Sequence, residues 1–345
     1  MEVMHLKNRV TVIDVAQKAG VSQTTVSRVL NNHPQIREET RKKVLLAIKE
    51  LEFSPNQVAR SMVVKRTKTI GLSVGDISNP FYAEAAKVII AKAGELGYDV
   101  IITDTNYRYN DFEKTLKTLV EKCVDGIIIA NIHPKNSLVN ELDIPVVYFN
   151  RKAEKEDNHY ISVDNKKGVF LAVQHLVQLG HKDIAFLTYP PLFPSFLERF
   201  HGYKSALETF ALRSDPTLIY DRGLSHEQIN QFVSDSLSRY DRPTGFITTT
   251  DQQAMLVMDA VSRLGFRIPQ DISVIGFGDI EISSHPYIGL TSVSIQKKEM
   301  ASSALKALIS LIEMEKEERS PIQVIMEPEL VIRNTTNVIQ NMQRS

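Results

Sequence analysis

One cysteine, Cys123, is all that 345 residues provide. No intramolecular disulfide can form, and no second thiol exists for a zinc cluster. A reducing compartment is expected, with Cys123, just ahead of an apolar run, as a buried structural thiol. Long hydrophobic runs are missing as well. His5, Lys7, Asn8 and Arg9 break any signal-peptide pattern, and no later stretch reaches bilayer length, so a cytoplasmic chain with no membrane partner is expected. There is no Walker loop and no Gly-x-Ser-x-Gly elbow. Gly276-Phe277-Gly278 stops short of a dinucleotide fingerprint, because Glu281 stands where its third glycine belongs. These absences argue against an enzyme, and no cofactor or metal site is expected.

Net charge is lacking too, since 41 basic residues balance 41 acidic ones. The balance is uneven along the chain. Residues 1–66 hold 12 basic residues against six acidic ones, a net +6 that leaves −6 for the remainder. A basic segment of this size seeks phosphate.

Three short helices are predicted within 9–53. Thr11 and Asp14 have the spacing of a capping box, Gly20 ends the first helix, and Ser22 caps a second from Gln23 to Leu30. Two helices joined by Gly20-Val21-Ser22 have the connection of a helix-turn-helix. The second helix presents Gln23, Thr24, Thr25, Ser27 and Arg28, all hydrogen-bonding types suited to base edges or phosphate. A third helix, Glu38 to Leu51, buries Val44, Ala47, Ile48 and Leu51 and carries Arg37, Arg41, Lys42 and Lys43 near its start. Residues 54–68 then read as a linker. Pro55 breaks the preceding helix, and Asn56 caps one of about two turns, too short to persist undocked.

These residues resemble the lactose-repressor (LacI/GalR) family of bacterial transcription regulators. The resemblance rests on Val10-Thr11-Val12-Ile13-Asp14-Val15-Ala16, Ala19-Gly20-Val21-Ser22, Thr25-Val26-Ser27-Arg28-Val29-Leu30-Asn31 and Pro55-Asn56 with Val58-Ala59-Arg60. It runs nearly the whole chain. It implies a homodimer on an approximately palindromic double-stranded DNA operator, and a hinge helix whose minor-groove wedge falls on Met62, where Leu is usual. The implied DNA-contacting set is Thr11, Ser22, Gln23, Thr24, Thr25, Ser27, Arg28 and Asn31, with Asn56, Val58, Ala59 and Met62 from the hinge.

From Thr69 onward, apolar strand-like runs alternate with amphipathic helices, the pattern of covered parallel sheets. It restarts near Ile184, which suggests two lobes with a ligand cleft at the strand carboxyl ends. The expected fold is therefore an all-α head plus an α/β two-lobed core. The resemblance implies a periplasmic-binding-protein-like core over 69–336, its first lobe about 69–163 and 295–319, its second about 164–294 and 320–336. It places three crossings near Asp164, Ser292 and Ser320. By the same analogy the helices 296–316 and 81–96 are dimer surfaces with apolar residues to spare. Residues just past strand ends form the candidate effector site: Asp76, Asn79, Phe81, Asn150, Arg151, Asp164, Arg199, Asp251 and Asp279. Phe81 is the candidate ring face for a sugar, and Arg199 matches a family effector contact. The chain also departs from the family. Gly278 and Asn150 stand where Asp is usual, while Arg151 and Arg199 are kept. A small-molecule effector is expected, a sugar or, from this loss of carboxylates, an anion such as a sugar acid or phosphosugar.

Overall fold

Thr11 opens the first helix, α1 (Val12–Ala19), as a complete capping box. Asp14 N–H donates to the Thr11 hydroxyl at 3.4 Å, and Thr11 N–H donates back to the Asp14 carboxylate at 2.7 Å. The Thr11 hydroxyl, which also donates to the Asp14 carboxylate at 2.7 Å, and then the Thr11 N–H hold the Asp14 carboxyl below its ordinary range. Gly20 closes the helix at φ +67, a left-handed conformation that glycine adopts without steric cost. Then follow α2 (Gln23–Leu30) and α3 (Glu38–Glu50). Val15, Ala16, Val26, Val29, Val44, Ala47 and Phe53 close a core among the three helices. This computed structural model describes residues 10–30, 33–51, 53, 66–130, 137–152, 157–190 and 193–339. The chain divides into two units, Met1–Thr67 and Lys68–Ser345.

The second unit holds two six-stranded sheets. Its first half runs β1 (Thr69–Val74), α4 (Pro80–Glu95), β2 (Asp99–Asp104), α5 (Tyr109–Glu121), β3 (Gly126–Ile129), β4 (Val146–Phe149) and β5 (His159–Val163). Next come α6 (Asn165–Gln178), β6 (Ile184–Leu187), α7 (Pro194–Thr209), β7 (Ile219–Tyr220), α8 (His226–Leu237), β8 (Gly245–Thr248), α9 (Asp251–Arg263), β9 (Ser273–Phe277) and β10 (Thr291–Ser294). The chain finishes with α10 (Lys297–Glu313), β11 (Gln323–Met326) and β12 (Glu329–Val331). Strand order is β11-β5-β4-β3-β1-β2 in one lobe and β12-β10-β9-β8-β6-β7 in the other. Only β10 with β12 is antiparallel among these pairs.

The chain passes between lobes at Asp164, between β10 and α10, and between β11 and β12. The third crossing thus lies at 327–328 and not at Ser320. Gln323–Met326 pairs parallel with β5 over four residues and carries the chain further along the first lobe before it leaves. The dimer-surface expectation for the last helix also changes. Met300, Leu305, Leu308 and Leu311 of α10 are buried against α4 and the first sheet, so its apolar side chains are already used. On α4, Ile90 stays exposed. Cys123 is exposed, not buried, because it occupies a left-handed turn (φ +54) after α5 that points it outward. Among the described residues no helix is long and apolar enough to cross a membrane.

His181 pins the C-terminal segment to the second lobe. Its Nδ1 is 2.9 Å from the Thr244 hydroxyl and its Nε2 is 3.2 Å from the Asn337 carbonyl. The neutral Nε2–H tautomer satisfies both partners. Burial pushes this imidazole down to about 4, against an ordinary value of 6.5. The unfolded chain therefore binds a proton that the folded chain refuses, and stability is lost as pH falls from about 6.5 toward 4, by up to about 3 kcal/mol. Urea midpoints should show a smaller drop between pH 7 and 4.5 in His181→Gln than in the parent. Equal drops would assign the acid sensitivity elsewhere.

Candidate functional site

On the head, Gln23, Thr24, Ser27 and Arg28 lie exposed along α2. Thr25 differs. It is half-buried, and its hydroxyl sits 2.9 Å from that of Ser22, which also accepts from Thr25 N–H at 3.2 Å. Thr11 is committed to the cap of α1. The basic cluster of α3 is partly committed as well. Arg41 donates to the His33 carbonyl at 3.1 Å, holding the connection from α2, and Lys43 pairs with Glu39. Arg37 and Lys42 are exposed. Asn31, Asn56, Val58, Ala59 and Met62 lie outside the described residues.

Between the lobes a cavity of about 210 Å³ opens at the strand carboxyl ends. Asn79, Phe81, Asn150, Arg151, Arg199 and Asp251 line it, as expected for residues following β1, β4 and β8 and opening α7. Asp76, Asp164 and Asp279 do not. Asp76 accepts from the amide and hydroxyl of Ser78, Asp164 caps α6 through Lys167 N–H, and Asp279 pairs with Arg333 at 2.7 Å. Short acidic side chains at strand ends are drawn to nearby backbone donors, and here that local chemistry wins.

Sequence reasoning missed Tyr107, Tyr189, Phe193 and Phe196, which also line the cavity. Tyr107 and Tyr189 lie just past β2 and β6, so the strand-end rule, extended to those strands, reaches them. Phe193 and Phe196 flank the start of α7, where only Arg199 had been singled out. Phe81 lines the wall, but its ring stacks on Phe149 at 5.9 Å and meets Tyr82 edge-on, so much of it belongs to the core.

Arg199 is buried and held at two points. Its Nε donates to Asn165 Oδ1 at 2.8 Å, its Nη1 donates to the Thr249 carbonyl at 2.6 Å, and the guanidinium lies 3.8 Å over the Phe277 ring. Asn165 in turn donates to Glu198, whose other oxygen receives Lys152 of the first lobe at 3.0 Å. Burial, then the nearby Arg151, push the Arg199 guanidinium down to about 9, which leaves it cationic at neutral pH. Arg151 is buried too. Its Nε donates to the Ala130 carbonyl at 3.1 Å, while its two terminal nitrogens make only long contacts, 3.5 Å, to Ser195 and Tyr82 hydroxyls.

Asp251 faces the other way. Ser292 Oγ donates to Oδ1 at 2.5 Å and Ile280 N–H donates to Oδ2 at 2.8 Å. Burial raises its pKa, and these two bonds oppose the rise. A Cβ on Gly276 would fall 2.2 Å from Asp251 Oδ1, so glycine is required there for the carboxylate to lie flat on β9. Gly278, where the family carries Asp, adopts φ +121, and a Cβ there would point within 3.7 Å of Asp251 Oδ2. Asp251 spends its charge on the protein.

Known proteins resemble this chain in both of its units. The model of "Bacterial regulatory proteins, lacI family" matches residues 11–56, and that of the "Periplasmic binding protein-like domain" matches 173–336. The HTH-type transcriptional regulator RegA of Clostridium saccharobutylicum is 34% identical over 327 residues, covering 94% of this chain and 98% of its own. The chain belongs to the LacI family. This regulator is thus a DNA-binding transcription factor, and its relatives are regulators, not enzymes. The solved Lac repressor dimer, bound to operator and the anti-inducer ONPF, is 28% identical with a TM-score of 0.85, over 96% of this chain and all of that one. The transcriptional regulator CelR, solved with cellobiose, is 27% identical with a TM-score of 0.70, over 95% of this chain and all of that one.

Proposed function

We propose that this LacI-family regulator is a repressor that binds an approximately palindromic operator as a homodimer, one head per half-site, and that an anionic small molecule between the lobes sets its operator affinity. The ligand side of this reading rests on Arg151 and Arg199. Both are buried on the cavity wall, while Asp251, the one acidic residue lining it among the described residues, has both oxygens spent. Two guanidiniums with no open carboxylate favour a carboxylate or phosphate over a neutral polyol. An anion bound there shifts operator affinity to the extent that the DNA-competent and DNA-incompetent states bind it differently.

Fluorescence anisotropy on an operator recovered by in vitro selection tests this reading. Glucuronate and glucose 6-phosphate are expected to change operator affinity where glucose does not, and a larger response to glucose overturns the anion assignment. The same assay should show operator affinity falling on the order of 10³-fold between 50 and 200 mM salt, as several phosphate contacts require. A flat salt dependence would count against contact through the basic head.

A further inference from the structure

Resting on the anion reading, the geometry points to a narrower ligand class: a planar aryl carboxylate, a single aromatic ring bearing an acid group, in place of a polyhydroxylated acid. Two features of the interlobe cavity carry this. One is an imbalance between donors and acceptors. The guanidiniums of Arg151 and Arg199 are donors only. On the accepting side, Asp251 is spent, Asn79 Oδ1 accepts from Phe81 N–H at 3.0 Å, and Thr250 caps α9 through Gln253 N–H. Tyr82 and Tyr107 bond to each other. Asn150 Oδ1, buried on the wall, has no partner. A desolvated sugar ring or aldonic acid brings several hydroxyl donors, each costly to leave unpaired. This wall offers two amide oxygens, those of Asn150 and Gln252, where such a ligand needs many acceptors. An aryl acid brings acceptors for the guanidiniums and at most one hydroxyl, which Asn150 can take.

The other feature is the wall itself. Phe193 meets Tyr107 edge-on at 5.7 Å, Phe196 stacks on Tyr189 at 4.7 Å, and Ile280 and Ile295 complete an apolar lining. Aromatic rings stack or meet edge-on within such a cage. The volume also fits. An apolar cavity of about 150 Å³ holds a benzene ring, and about 210 Å³ leaves room for one ring and a short acid arm.

Isothermal titration calorimetry on the full chain tests this with benzoate, 4-hydroxybenzoate and phenylacetate against glucuronate, gluconate and glucose. The tightest aryl acid is expected to bind at least tenfold more strongly than either hydroxy acid. Phe193→Ala should weaken that aryl acid about tenfold and glucuronate far less, a split that general misfolding would not produce. If glucuronate or gluconate binds more tightly than every aryl acid, the aryl assignment fails and the anion reading survives. If glucose binds most tightly, both fail. Failure of all three aryl acids to bind at their solubility limits also overturns the assignment.

Discussion

Arg199→Ala is expected to weaken binding of the anionic effector on the order of 100-fold, and Arg199→Lys to recover only part of the loss. The guanidinium is fixed by Asn165 Oδ1 and the Thr249 carbonyl, with its face on Phe277. It is therefore oriented before ligand arrives, and little of its pairing energy goes into ordering it. Removing one partner of a buried, hydrogen-bonded charge pair costs about 2–5 kcal/mol, which brackets the expected loss. A lysine keeps the charge, but its compact ammonium lacks the planar fork that spans Asn165, Thr249 and a ligand. Stability should change as well. Alanine leaves Asn165 and Thr249 each short of a donor, at about 1–3 kcal/mol for an unsatisfied group. It also relieves the desolvation that lowers the pKa of Arg199. Calorimetry beside thermal denaturation separates the two quantities. A loss in affinity below threefold would remove Arg199 from the ligand-binding role.

Why such a residue could be picked out in advance, while its neighbours could not, follows from how each signal is encoded. The head was legible because every device in it is local. The capping box, Gly20 and the apolar spacing within each short helix act over a few residues, and Val15, Val26 and Val44 then meet in one small core. Central strands such as Gly126–Ile129 and Val146–Phe149 announce themselves as apolar runs because both their faces are covered. The strand Thr291–Ser294 carries no such run. Its Thr291 and Ser292 are wholly buried, and their hydroxyls are satisfied by partners distant in sequence: Arg333 N–H donates to Thr291 Oγ1, and Ser292 Oγ donates to Asp251. The strands Gln323–Met326 and Glu329–Val331 lie at sheet edges with exposed faces, so alternation there is weak. The cavity followed the same rule. Strand-end position located Asn150, Arg151 and Asp251, yet whether an acid there faces ligand or protein depends on long-range contacts. Asp251 turns inward only because Gly276, 25 residues on, lacks a side chain.

Gly202→Ala should destabilise the core by about 2 kcal/mol, although alanine is the better helix former. An ideal Cβ at Gly202 in α7 would sit 2.5 Å from the Lys166 carbonyl oxygen and 2.9 Å from Lys166 Cα. Both atoms are backbone in the first turn of α6, so no side chain can swing aside. The helices themselves must part. Overpacking of this kind costs about 1–3 kcal/mol, and more where backbone has to move, against a propensity gain near 1 kcal/mol. For a unit of this size the net loss lowers Tm by roughly 5 °C. The same displacement reaches the cavity. Asn165 stands beside Lys166 at the start of α6, and Arg199 lies less than one turn before Gly202 on α7, so separating the helices lengthens the 2.8 Å bond that aims the guanidinium. Effector affinity should therefore fall together with Tm in Gly202→Ala. By contrast, Gly94→Ala, where an added Cβ meets nothing within 4 Å, should leave both at or slightly above the parent values. A Gly202→Ala protein as stable as the parent would mean that α6 and α7 do not approach this closely in solution, and that the alignment of Arg199 has another origin.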